Sequence, residues 1–308
     1  MKLEGVHHVT AITATAQENV DFYAGALGLR MVKKTVNQDD PTVYHLFYAD
    51  EQGDAGSDIT FFEYPGAPPG RAGDGMVHTV GWRVGSDDAL GFWEQRLADA
   101  GTSSQRGEGT LAFEDPEGLR HELRVSEVDD SPLIADHPGV PREMALQGFD
   151  GVRAYSSNPE ASRALFEEAL SFEPSGDGWE ARGSDRGGLY AFDEPPAERG
   201  IPGAGTVHHV AWASSIDEHE AWRERVIAGG GQPTPVIDRF YFRSIYFREP
   251  SGVLFEIATL GPGFTADEPL ETLGERLSLP PDYEPLRDRI EQTVKPITNP
   301  RTAASAGS

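Results

Sequence analysis

Val6-His7-His8-Val9 and Val207-His208-His209-Val210 are the same four residues, written once near each end of the chain. Each copy stands just inside a run of apolar and β-branched residues, so each reads as part of a strand. A histidine pair repeated at that distance points to a duplicated unit that contributes twice to one site. Further along, Leu254-Phe255-Glu256-Ile257 sets an acid inside another apolar run. Two imidazoles and one carboxylate carried by strands are the ligand set of a non-haem ferrous centre that keeps positions open for other ligands.

Working outward from the first copy, residues 5–12 read as a strand, 16–27 as a helix, and 31–36, 43–48 and 59–64 as three more strands. The same order recurs three times. The second unit, 77–125, has a strand over 77–84 and a helix over 89–98, with Leu90, Trp93 and Leu97 at helical spacing. Its last strand follows the turn Asp115-Pro116-Glu117-Gly118. The third unit, 151–192, has a helix over 159–169 with Pro159 in its first turn. The fourth, 206–259, repeats the turn as Glu249-Pro250-Ser251-Gly252 before its final strand. Each unit alone would leave a sheet face bare, so units must pair and curl around a cup. The expected fold is α+β: four βαβββ modules paired into two open-barrel domains. The domain reading is a first half over 1–128, a linker over 129–148 whose start is rich in Asp and Pro, a second half over 149–265, and a C-terminal segment over 266–308. That last segment carries a helix at 285–294 and a tail, 298–308, of disordered composition.

The chain has no cysteine, which excludes disulfides, zinc–thiolate sites and iron–sulfur clusters within it. No window approaches the eighteen apolar residues of a membrane span, and no apolar leader precedes the first strand, so a cytoplasmic protein is expected. Acids outnumber bases 51 to 26, for a formal charge of −25, and the lysines are Lys2, Lys33, Lys34 and Lys295 alone. Such a surface argues against nucleic acid and anionic membranes as partners and resembles that of a salt-adapted protein. Homo-oligomerisation stays open.

With these motifs assembled, the chain resembles the vicinal oxygen chelate superfamily, and within it the ring-cleaving dioxygenases that act on hydroquinones and related phenols. The likeness runs over residues 5–267. It rests on the His-His pairs, Tyr44-His45-Leu46-Phe47-Tyr48-Ala49-Asp50, the stretch from Asp238-Arg239-Phe240 through Tyr246-Phe247, Phe255-Glu256, and Leu260-Gly261-Pro262-Gly263-Phe264-Thr265. The resemblance implies His8, His209 and Glu256 as metal ligands, with Fe(II) as the ion and Mn(II) as the alternative. It uses the second histidine of each pair; strand alternation alone says only that the two point to opposite faces. Aligning the opening strands puts Thr79 where His209 stands, and Arg153 or Ala154 in the third unit, so no middle unit offers an imidazole there. The site must therefore join the first and fourth units. His78 and Glu122 read as relics of the same pattern, and His45, His121, His137 and His219 acquire no role.

His7 and His208, expected to face away from the metal, are candidates for acid–base work or for supporting the ligands. Tyr246 and Arg239 match positions that line the family's substrate pocket, where a phenol can donate or accept and a guanidinium can hold an anionic oxygen. The implied reaction inserts O2 into an aromatic ring: reduced oxygen attacks a carbon beside the hydroxylated one, the ring expands to a lactone, and hydrolysis opens it. A catechol and a 1,4-hydroquinone are equally compatible with the sequence. A rival enzyme reading adds Glu63, since Phe61-Phe62-Glu63 ends the first unit much as Phe255-Glu256 ends the fourth. His8, Glu63, His209 and Glu256 would then form a glyoxalase-type set for nickel or zinc. A third reading is a metal-free binding or resistance protein, which would lack the triad.

Overall fold

The computed structural model describes residues 1–301. The first unit contains β1 (Val6–Thr13), β2 (Arg30–Asn37), β3 (Asp40–Ala49) and β4 (Asp58–Glu63). The second contains β5 (Val77–Val84), β6 (Ser104–Gly107), β7 (Thr110–Glu114) and β8 (Arg120–Val125). The third contains β9 (Phe149–Tyr155), β10 (Glu173–Ser175), β11 (Gly178–Arg182) and β12 (Gly187–Asp193). The fourth contains β13 (Val207–Ser214), β14 (Ile237–Asp238), β15 (Phe242–Arg248) and β16 (Leu254–Pro262).

Two eight-stranded sheets result. One joins the first and fourth units in the order β14-β15-β16-β13-β1-β4-β3-β2; the other joins the third and second as β10-β11-β12-β9-β5-β8-β7-β6. Each sequence half therefore gives one unit to each sheet. The opening strands meet antiparallel at the centre of each sheet, Val9 opposite Val210 and Val80 opposite Val152. This is the α+β arrangement of paired cups that the repeats imply.

Helices fill the space behind the sheets. The second unit's helix, α2 after the short α1 (Ala16–Val20), spans Asp87–Asp99. Ser86 caps it by accepting from the Ala89 N–H at 3.2 Å, Asp87 and Asp88 sit in the dipole-favoured first turn, and Leu90, Trp93 and Leu97 are buried. The 16–27 helix is not continuous: α1 passes into a π-helical turn over Asp21–Ala26, with the Leu27 N–H reaching Phe22 O at 2.9 Å. The wide turn carries Tyr23 inward against Tyr48 and Phe61 of one sheet and His121 of the other. The third unit does the same. Its 159–169 helix begins as a 3-10 turn and ends in a π turn over Leu165–Ala169, and Phe166 packs on Tyr190 and Phe255. The two cups thus share one apolar core that holds Trp82, Trp93, Trp212 and Trp222, all fully buried.

The segment 129–148 packs along this joint. Asp130 pairs with Arg83 and with Arg182, and Ile134, Ala135 and Val140 are buried. After β16 the chain wraps back over the first unit. Lys33, fully buried, donates to Asp267 at 2.7 Å, to Glu268, and to Phe264 O. In the fourth unit α3 spans His219–Ala228, and the C-terminal helix is a 3-10 turn at Glu284–Leu286 that runs into α4 (Arg287–Thr293). The tail differs from its disordered expectation as far as residue 301. Thr298 exchanges two hydrogen bonds with Gln17, and Arg301 pairs with Glu51. Specific side-chain partners on the first unit outweigh the unstructured character of its composition. Residues 302–308 lie outside the described part.

Candidate functional site

The inner face of the first cup lines a cavity of about 500 Å³, a volume suited to a small ligand. His8 on β1, His209 on β13 and Glu256 on β16 meet there on three neighbouring strands. His8 Nε2 and His209 Nε2 are 3.2 Å apart, and Glu256 Oε2 lies 3.2 Å from the first and 2.9 Å from the second. All three residues are buried, at 2 %, 4 % and 0 % exposure. They form the single cluster of three or more such donors among the described residues.

The bonding around the triad leaves its inner atoms for a cation. His7 Nε2 lies 3.2 Å from the Thr259 carbonyl, which can only accept, so the His7 proton is on Nε2 and Nδ1 is the acceptor. Burial, with His8 beside it, pushes His7 down to about 3, so the ring is neutral. His8, 3.0 Å away through Nδ1, must then donate from Nδ1, which leaves Nε2 as its atom facing the cluster. His208 repeats the contact on the other side, Nδ1 to Nδ1 of His209 at 2.8 Å. Ser244 donates to Glu256 Oε1, whereas the fully buried Oε2 has no well-directed hydrogen-bond donor. Burial alone would raise Glu256, but the two imidazoles overcome this and hold it well below the usual carboxylate range. An ionised, orphaned oxygen and two imidazole nitrogens converging on one point fit a divalent metal, with the outer atoms already fixed by hydrogen bonds.

His7 and His208 do not face away from the triad. In the β1–β13 ladder Val6 pairs with Trp212 and His8 with Ala211, so His7 is an inserted residue; Thr10 pairs with His209 and Ala11 with Val207, so His208 is inserted too. A bulge suspends alternation and lets each extra histidine fold onto its neighbour. His7 packs on Phe242, and His208 stands exposed against Phe62, both rings of the cavity wall. The second cup keeps the device: His78 and Asp150 are the inserted residues, and His78 Nδ1 meets Thr79 Oγ1 at 2.9 Å.

Register also decides Glu63. Glu256 stands beside Ala211, two residues past His209; the residue beside Thr10, two past His8, is Thr60. Glu63 lies at the end of β4, where its Oε1 accepts from the Ala16 N–H at 3.1 Å and caps α1. It is not part of the triad. In the second cup the matching positions are Thr79, Glu122 and Gly151; the third unit thus has glycine there, not Arg153 or Ala154. Glu122 is tied to Arg124 at 2.5 Å.

Tyr246 and Arg239 both line the cavity. Tyr246 sits opposite Glu256 across the β15–β16 ladder and edge-on to His209, with ring centroids 5.8 Å apart. Arg239 donates from Nε to its hydroxyl at 3.3 Å. Burial, and then the Glu256 charge, push the Tyr246 phenol up from its ordinary value, so it keeps its proton at neutral pH.

Several contributors carry no sequence signal of their own. His45 lines the cavity between Phe47 and Phe62, and its Nε2 contacts Thr60 Oγ1 at 2.9 Å; Thr60 in turn contacts Thr10 Oγ1 at 2.8 Å. Burial, reinforced by His8 and His209, holds His45 well below its ordinary value. Its place could be inferred only from alternation with Phe47 along β3. His121 belongs elsewhere, in a buried network with Tyr23 at 2.9 Å and Trp82 at 3.1 Å. His219 is buried on α3 beside Ser214, and His137 bonds the Gly139 N–H.

Comparison with known proteins places this geometry. MhqO of Bacillus subtilis (strain 168), named as a proposed ring-cleaving dioxygenase, is 43% identical over 305 residues, covering 96% of this chain and 97% of its own. A Sphingobium indicum protein named chlorohydroquinone/hydroquinone 1,2-dioxygenase is 33% identical, covering 95% and 96%. A crystal structure of a proposed dioxygenase from Bacillus subtilis superposes with a TM-score of 0.90 at 41% identity, over 97% of this chain and 98% of that one. The Glyoxalase/Bleomycin resistance protein/Dioxygenase superfamily matches residues 5–123 and 148–257, the two stretches that hold the four units. A match of that extent, beside a relative 43% identical along nearly its whole length, makes this chain a member of that superfamily.

Proposed function

We propose that the protein is a ring-cleaving dioxygenase that opens a hydroquinone- or catechol-like ring at a ferrous centre held by His8, His209 and Glu256, with Mn(II) as the alternative ion. The observation that carries the reading is a three-residue donor set with Thr60 where a fourth, symmetry-related acid would stand. Three protein ligands suit an ion that must also accept outside oxygen donors. When bound, ferrous iron would bring a phenolic oxygen and O2 together and let electrons pass from ring to oxygen.

The remaining work falls to the chain. Phe62, Phe242 and Leu254 supply apolar walls for an arene. Tyr246, protonated and bonded to Arg239, can donate to a phenolic oxygen, and His208 at the open side can take up or return a proton. His7 and Ser244 hold His8 and Glu256 in the tautomer and orientation a metal needs.

The test is oxygen uptake by protein purified without oxygen and loaded with Fe(II), offered hydroquinone, catechol and the thiol adduct of methylglyoxal. Uptake with a phenol and ring-opened product are expected. Full iron occupancy with no uptake on either phenol would end the proposal, and isomerisation of the thiol adduct would favour the glyoxalase reading.

A further inference from the structure

Among the described residues Arg239 is the one Lys or Arg side chain lining the cavity, and its fork is already filled. Its Nη1 and Nη2 donate to the two carboxylate oxygens of Asp39 at 3.2 and 3.1 Å, while Nε is turned to Tyr246. The pairing crosses the cup: Asp39 lies at the tip between β2 and β3, and Arg239 just after β14. Gln38 on the same tip donates from Nε2 to the Arg239 carbonyl at 2.8 Å, so both main chain and side chain of Arg239 are held. The tip itself is fixed, by Asn37 donating to Tyr64 and by Tyr283 of the C-terminal wrap donating to Gln38 O. Next to Arg239, Phe240 holds φ at 70°, a left-handed conformation that side chains rarely adopt, with its N–H bonded to Asp238 Oδ1.

A guanidinium whose two parallel N–H groups face a cavity is a carboxylate receptor. Here a carboxylate of the chain itself sits in that position. We propose that Asp39 sets the charge selectivity of the cavity: by occupying the bidentate face of Arg239 it disfavours phenols that carry a carboxylate and keeps the cavity for uncharged diphenols. The inference rests on the aromatic-substrate reading above. Asp39 acts through Arg239 and is a specificity-determining, positioning residue. Its side chain is 74% exposed against 19% for Arg239, so replacing it opens no buried gap.

Binding measured without turnover separates this from ring cleavage. Hydroquinone and 2,5-dihydroxybenzoate are titrated by calorimetry, without oxygen, into the full-length protein, Asp39→Asn and Asp39→Glu. Wild type should prefer hydroquinone. Asp39→Asn should shift the ratio of the two dissociation constants toward the carboxylate by about two- to fivefold, the range for an ion pair with a largely exposed partner. Asp39→Glu should restore the wild-type preference. A ratio unmoved by Asp39→Asn, with both compounds binding, overturns the inference and leaves the dioxygenase reading intact. Binding of neither compound by any of the three proteins counts against the aromatic-substrate reading and removes the inference with it.

Discussion

Glu256→Gln keeps the size of a fully buried side chain and removes the charge that a metal would share with His8 and His209. A ligand that binds only the folded state, present at a hundredfold excess over its Kd, adds about 2.7 kcal/mol of stability. Unfolding entropy of roughly 2.1 cal/mol/K per residue gives about 0.65 kcal/mol/K for the 308-residue chain, so that gain raises Tm by about 4 °C. Without the carboxylate the same metal concentration should raise Tm by less than about 1 °C. Metal-free Glu256→Gln should melt below metal-free wild type, because the two imidazoles that hold the carboxylate in its charged form lose the charge they favour. Glu63→Gln should keep the full metal shift, since an amide oxygen can still accept from the Ala16 N–H. Differential scanning calorimetry of chelator-stripped protein with and without Fe(II) or Mn(II) reads all three. A full shift in Glu256→Gln, or its loss in Glu63→Gln, would refute the ligand assignment.

Three further outcomes are expected. Tyr246→Phe should lower kcat for oxygen uptake about a hundredfold while His209 keeps its ring contact, the range for a lost proton donor; a change confined to KM would contradict this. Lys33→Met strands Asp267 and Glu268 without their buried cation, which should cost about 3–5 kcal/mol and lower Tm by about 5–8 °C, read by calorimetry. Buried His121 is pushed down to about 3, whereas the unfolded ring protonates near 6.5. Between those values the unfolded state binds more protons, so stability falls as pH drops from 6.5 toward 3, by up to about 1.4 kcal/mol per pH unit from this group. Denaturant midpoints of His121→Gln should show a flatter acid limb than wild type.

Duplication made the architecture readable. Because Val-His-His-Val marks the same strand position twice, it identified which units must meet before any pairing was known, and Glu256 follows by its place in the last strand of the second marked unit. What escaped reading depends on register. Alternation turned His7 and His208 outward, but one inserted residue in each strand reverses that, and an insertion relative to a partner is invisible until the partner is known. The same holds for Glu63: the Phe-Glu likeness to Phe255-Glu256 is real in sequence, yet the ladder sets Thr60 opposite Thr10 and sends Glu63 to a helix end. His45 and Asp39 had no local signature because their partners come from other strands, in Asp39's case 200 residues away. The π turns at 21–26 and 165–169 were hidden for a different reason. Their apolar spacing is helical, and the widening is imposed by packing Tyr23 and Phe166 between two sheets.

The pairing of the outermost units also dictates an order of assembly. The second and third units are adjacent in the chain and can close their sheet on a nascent polypeptide as soon as β12 has left the ribosome. The first cup cannot: β1 must wait, with its histidines and one edge uncovered, until β13 and β16 arrive. The three candidate donors therefore cannot come together on an ion until β16 has been made, well after the other sheet can close.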